Sequence, residues 1–202
     1  MRKTIAALLT LALAVALAST VQAQRGRDGQ LNLLYWQAPS TMNPNLSGGT
    51  KELEASSVVL EPLARYDHNG NLVPYLAAGI PTVANGGVAE DLTSITWKLK
   101  QGIQWSDGSA LTAADVVFTY EYCTDADTGC TQSNYYNDIK SVTAVDAHTV
   151  RIDFTVAKPF PYSAFVGYNG PILQKAQFKG CEGQKAQACT RQNFYPIGTG
   201  PF

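Results

Sequence analysis

The chain has 202 residues, 45% of them hydrophobic and 15% charged, with 15 basic against 16 acidic side chains and a net charge of −1 at pH 7. That length and apolar content allow one or two packed domains. No cluster of Lys and Arg occurs, which excludes nucleic acid or an anionic membrane surface as partner, since both demand grouped cations. Residues 1–23 read as a secretory signal. Arg2 and Lys3 begin it, residues 5–18 form an apolar run too short to span a bilayer comfortably, and Val21-Gln22-Ala23 offers a small-residue cleavage site before Gln24. An uncleaved membrane anchor is the rival reading. Without the signal, 13 basic and 16 acidic residues remain, a balance of −3. No Cys precedes position 123, so there is no site for a lipid anchor, and the mature chain is expected to stay out of the membrane.

After a polar leader over 24–30, residues 31–36 (LNLLYW) are nearly continuous in apolar side chains and predict a strand interior to a sheet. A loop carrying Pro44, Gly48 and Gly49 follows. Residues 51–64 have helical spacing, limited by Pro62. Asp67-His68-Asn69-Gly70 is a turn signal between Tyr66 and Leu72, and 72–80 reads as a short connection closing at Pro81. Asn85-Gly86-Gly87 marks another turn. Ile95, Trp97 and Leu99 then alternate with Thr96, Lys98 and Lys100, the pattern of a half-buried strand. A short extended piece at 103–105 stops at the turn Ser106-Asp107-Gly108-Ser109. A helix starts at Thr112, an N-cap residue with Asp115 three positions on. Leu111 and Val116 sit at the staple positions, and Val116, Val117 and Tyr120 supply an apolar face. Residues 139–145 and 149–154 predict a hairpin across Asp146-Ala147-His148, and 163–178 mixes a short helix with the turn Tyr168-Asn169-Gly170-Pro171. Strands and helices mix without strict alternation, so the fold class is mixed α+β or α/β.

Four cysteines in an exported chain suggest disulfides. Pairing Cys123 with Cys130 and Cys181 with Cys189 is the simplest of three connectivities. A four-cysteine zinc site is the alternative, but neither pair has the usual two-to-four-residue gap.

Residues 97–122, WKLKQGIQWSDGSALTAADVVFTYEY, resemble the signature segment of the family 5 extracellular solute-binding proteins, which serve peptide, dipeptide, nickel and oligosaccharide ABC importers. Further matches flank it in order: Met42-Asn43-Pro44, Glu61-Pro62-Leu63, residues 72–77 (LVPYLA) and residues 196–202 (PIGTGPF). The resemblance implies one lobe of a periplasmic-binding-protein-like class II clamshell, with 24–202 forming the N-terminal portion of the solute-binding domain and the second lobe absent. It also implies a periplasmic location, ABC permease subunits as partners, loop-stapling disulfides, and no cofactor. Two positions depart from the family pattern. The frequent His-Asp-Gly turn is Ser106-Asp107-Gly108, and Asn43 stands where Asp commonly precedes the proline. The charged residues that clamp peptide termini in the family lie beyond residue 202.

Signatures of catalysis are absent. His68 and His148 both sit in turns, there is no Gly-x-Ser-x-Gly elbow, and Gly198-Thr199-Gly200 lacks the context of a phosphate loop. Glu52, Glu54 and Glu61 read as solvated helix charges in preference to a glycosidase pair. Asn45-Leu46-Ser47 is a glycosylation sequon, relevant only in a eukaryotic source. The binding signal is aromatic and polar. Tyr35, Trp36 and Gln37 end the predicted first strand, where ligands of α/β proteins collect. Ser47-Gly48-Gly49-Thr50 leaves backbone amides open to a ligand, and by resemblance borders the cleft in peptide-binding members. Tyr120, Tyr168 and Asn169 are further candidates. The expected function is capture of a small solute, a peptide or oligosaccharide, for import without catalysis. The alternatives are a secreted glycan-acting hydrolase and a solute sensor without transport.

Overall fold

The structure, a computed structural model, describes residues 32–202. The signal segment, the polar leader and Leu31 lie outside the described residues. Asn32 to Leu34 have no regular structure, and Leu34 is fully exposed. Tyr35–Phe202 form one unit.

Two hairpins set the frame of that unit. β1 (Ala64–Tyr66) pairs antiparallel with β2 (Leu72–Pro74). The turn between them closes because Asp67 Oδ1 accepts the amides of Asn69 and Asn71, both at 2.8 Å, while Gly70 takes φ +82°. Residues 72–74, read from sequence as a connection, are therefore a strand that this turn folds back onto β1. In the second sheet, β3 (Ser94–Lys98), β4 (Ile139–Asp146) and β5 (Thr149–Phe154) are antiparallel in the order β3-β5-β4. The hairpin turn is again an acidic one, with the His148 amide donating to Asp146 Oδ1 at 2.7 Å. Val150, Ile152, Ile95 and Trp97 are buried, so the expected alternation puts them on the core face.

α1 (Thr50–Ser56) is shorter than the helical spacing over 51–64 predicts. Ser56 and Ser57 hydroxyls donate back to the carbonyls of Leu53 and Glu54, and Val58-Val59 then enter a turn that delivers Pro62 towards β1. The serines offer the backbone an exit from the helix, and the valines lose side-chain freedom if it continues. α2 (Ala113–Thr124) begins where Thr112 and Asp115 predict: the Thr112 amide donates to Asp115 Oδ2 at 2.9 Å. Leu111 and Val116 are both buried, as a staple requires. Yet α2 has no single apolar stripe. Val116 packs into the main core with the sheet, whereas Phe118 and Tyr122 belong to a second cluster with Leu60, Leu173 and Phe178. The helix lies between two cores, which is why Val117 and Tyr120, chosen from its spacing, are only half-buried.

The second cluster is closed by α3 (Lys175–Phe178), α4 (Thr190–Phe194) and one of two disulfides, the other lying in the main core. Cys123 pairs with Cys130 and Cys181 with Cys189, Cα atoms 5.0 and 5.9 Å apart. The stapled loops touch each other, with the Gly183 amide donating to the buried Thr128 hydroxyl at 2.8 Å. Among the described residues no helix is long and apolar enough to cross a membrane.

Candidate ligand-binding surface

The glycine loop is held from behind by buried amides. Asn43 caps the 3-10 turn Pro44–Leu46 through its own side chain, Oδ1 accepting the Asn45 amide at 3.1 Å. Its Nδ2 donates to Tyr122 Oη at 3.2 Å and Asn193 Oδ1 at 3.0 Å, joining three distant segments. Burial pushes the Tyr122 phenol up to about 12 despite the Asn43 hydrogen bond. Gln132 Nε2 donates to the carbonyls of Pro44 and Ser47 at 3.2 and 3.3 Å. Ser47 is thus fixed, and its hydroxyl accepts the Gly49 amide at 3.2 Å. Gly48 is exposed with open space where a Cβ would be, and Thr50, exposed, begins α1. Gly49 differs, because a Cβ there would overlap the Glu52 carboxylate.

Glu52 overturns its reading as a solvated charge, since it is buried. Its Oε1 accepts the amide and hydroxyl of Ser40, each at 2.8 Å, and it pairs with Lys51. Burial alone raises a carboxyl, but the hydrogen bonds from Lys51 and Ser40 outweigh it and hold this one at about 2. Glu52 therefore ties the 35–40 segment to the glycine loop as a carboxylate. Asn45 of the sequon is fully buried, so its side chain is not presented for modification.

Tyr35, Trp36 and Gln37 do not end a strand. Among the described residues no strand pairs with 32–36, and an apolar run by itself does not supply the ladder that a strand needs. Tyr35 is half-buried, its ring edge-on to Trp36 at 6.1 Å, while Trp36 is 72% exposed and Gln37 exposed. Tyr120 lies against the core, edge-on to Tyr136 at 5.9 Å.

Tyr168 and Asn169 line a cleft of about 600 Å³ whose walls are mostly aromatic: Arg65 and Tyr66 of β1, Tyr135, Phe160 and Tyr162. Asn169 Nδ2 donates to Tyr135 Oη at 2.8 Å, and Tyr162 Oη donates to the Pro81 carbonyl at 2.6 Å. Phe160 stands edge-on to Tyr162 at 5.1 Å. Burial raises the phenols of Tyr66 and Tyr162, so both are neutral at physiological pH. The far wall is under strain. Phe165, wholly buried, has φ +60°, a left-handed conformation that costs a non-glycine residue roughly 1 kcal/mol or more. Its ring packs edge-on to Tyr136 at 5.3 Å. Gly170 closes the same turn, because a Cβ there would come within 2.6 Å of the Phe165 carbonyl carbon.

None of the other sequence candidates lines this cleft, and none of its side chains is a carboxylate. The two regions nevertheless share one element. Gln132, which grips the glycine loop, immediately precedes the 3-10 helix Ser133–Tyr136 that carries Tyr135. Arg65, Tyr66, Tyr135, Phe160 and Tyr162 escaped sequence reasoning. The aromatic-Pro-aromatic run Phe160-Pro161-Tyr162 was the signal available for two of them. Among the described residues, no three His, Cys, Asp or Glu side chains gather as a metal site.

Residues 71–202 match bacterial extracellular solute-binding proteins, family 5 Middle. Protein XP55 of Streptomyces lividans is 30% identical over 167 residues, 81% of this chain and 27% of that protein. The glutathione-binding protein GsiB of Escherichia coli (strain K12) is 30% identical over 115 residues, 57% of this chain and 21% of that protein. The oligopeptide-binding protein AppA from Bacillus subtilis, solved in complex with a nonapeptide, superposes with a TM-score of 0.69 at 24% identity, covering 81% of this chain and 31% of that one. The chain spans about a fifth to a third of the length of these relatives. Mixed strands and helices, the capped α2 segment and the 71–202 match together make this chain a member of the family 5 bacterial extracellular solute-binding proteins.

Proposed function

We propose that the chain is part of an exported, periplasmic solute-binding protein that captures a small solute, a peptide or an oligosaccharide, and delivers it to the permease subunits of an ABC importer. Membership of a solute-binding family carries this reading. GsiB by name binds glutathione, and AppA was solved with a nonapeptide, which favours a peptide for this chain. Residues 1–23 act as a cleaved signal, and 24–202 form most of the first lobe. Ligand lies on the face built by Tyr35, Trp36, Gln37 and the loop Ser47-Gly48-Gly49-Thr50, with Tyr168 and Asn169 reached across the 3-10 helix Ser133–Tyr136. Tyr120, packed on Tyr136, supports that helix from behind.

The protein is non-enzymatic in this account, and ligand biases a hinge closure through contacts made only when a second lobe has closed. Isothermal calorimetry with di- to nonapeptides and maltooligosaccharides tests it. The chain alone is expected to bind with Kd weaker than about 0.1 mM, because the closed state draws its contacts from two lobes and residues 24–202 supply those of one. Submicromolar binding by this chain, or turnover of a glycan, overturns the reading.

A further inference from the structure

We propose that the aromatic cleft is a side-chain pocket for a large uncharged group, an aromatic or branched aliphatic side chain of the captured solute. The inference rests on the solute-binding reading and names the ligand chemistry at one part of that surface. Three observations carry it.

The first is the lining. Tyr66, Phe160 and Tyr168 are 47%, 59% and 55% exposed, so three large rings face solvent around one cavity of about 600 Å³. That volume is of the size that takes a small ligand or a large side chain, and aromatic walls reward burial of apolar surface and ring stacking.

The second is charge. Arg65 is the single charged residue of the lining, and it is already engaged. Its Nη2 donates to the Ser57 carbonyl at 2.8 Å, and its guanidinium lies 4.6 Å from the centre of the Tyr75 ring. With Nη2 taken and Nε buried, an anionic ligand group has only part of the guanidinium to pair with. A cationic group would meet the Arg65 charge with no carboxylate in the wall to balance it. An uncharged group meets neither obstacle. Asn169 Nδ2 is likewise engaged with Tyr135 Oη.

The third is placement. Phe165 holds a left-handed conformation while buried, and the turn it starts brings Val166, Gly167 and Tyr168 into the cleft wall. Strain of this kind persists only where surrounding packing enforces it, and it clusters at binding sites. The 3-10 helix Ser133–Tyr136, which carries Tyr135 of the cleft, directly follows Gln132, whose side chain holds the Ser47 carbonyl of the glycine loop.

NMR titration of the full chain with N-acetyl-L-tryptophanamide, N-acetyl-L-leucinamide, N-acetyl-L-glutamic acid amide and N-acetyl-L-lysinamide tests the pocket directly. The tryptophan and leucine probes are expected to shift the amides of Tyr66, Gly167, Tyr168 and Asn169 saturably, at least tenfold more tightly than the charged probes. Phe160→Ala and Tyr168→Ala are expected to weaken those probes about five- to tenfold without moving the melting temperature, since both rings are exposed. Lys140→Ala, exposed on β4 and outside both the cleft and the glycine loop, leaves probe binding unchanged. Equal affinity for the charged probes, shifts confined to another surface, no saturable shift, or full affinity in both ring variants overturns the pocket. The transport reading fails separately, if peptides bind nowhere on the chain while the apolar probes still saturate the cleft.

Discussion

Gly48 and Gly49 are neighbours with different requirements. Gly49→Ala drives a methyl into a carboxylate pinned by Ser40 and Lys51, and is expected to cost about 1–2 kcal/mol in urea denaturation. Gly48→Ala meets open space and is expected to stay within about 0.5 kcal/mol of the parent. Glu52 makes a further prediction. Its ordinary pKa of 4.5 falls to about 2 in the fold, so its contribution is fully present above pH 4.5 and lost as pH drops towards 2. Glu52→Gln is expected to cost roughly 2 kcal/mol at pH 7 and to remove that part of the acid loss, read from denaturation midpoints between pH 2 and 7. Asn43 was legible as part of a motif, but its role as the hub joining Tyr122 and Asn193 was not, because partners 79 and 150 residues away leave no local pattern. Glu52 was misread for the same reason: a charge on a short helix is usually solvated, and only its position behind Ser40 buries it.

At the scale of elements, local chemistry decided what sequence could reveal. The Asp67 and Asp146 turns and the Thr112–Asp115 cap satisfy their backbone groups within a few residues, so both turns, the second hairpin and the start of α2 were readable, while β2 reads from sequence as a connection. Asp115 also accepts the Lys175 amide through Oδ1 at 2.9 Å, tying α3 to the start of α2. Asp115→Ala, leaving two amides without their acceptor, is expected to lower stability by about 2 kcal/mol in thermal or urea unfolding. Residues 32–36 gave the opposite outcome. Their apolar run has no such local closure, and among the described residues no strand pairs with it. The early stop of α1 at Ser56 likewise turned on side-chain hydroxyls competing with the helix, which apolar spacing does not register. The aromatic cleft stayed hidden because its walls come from β1, a 3-10 helix and a loop, brought together only by the fold.

Across the unit, two packed clusters share α2, with Cys123–Cys130 in the first and Cys181–Cys189 in the second. Each closes a loop of under ten residues, so loss of one bridge through paired Cys→Ser changes is expected to cost about 2–3 kcal/mol by calorimetry without unfolding the sheet. Loss of Cys181–Cys189 falls on the second cluster and leaves the aromatic cleft, walled by main-core residues such as Val166, in place, whereas Cys123–Cys130 belongs to the main core itself. The central claim is that this chain presents a binding face and performs no chemistry. Its most direct test is residue-resolved NMR of the chain titrated with a millimolar mixture of short peptides, sampled for peptide composition before and after. The account predicts saturable shifts at Gly48, Gly49, Thr50, Tyr168 and Asn169 with every peptide recovered intact. Shifts on another surface, or peptides consumed during the titration, would contradict it.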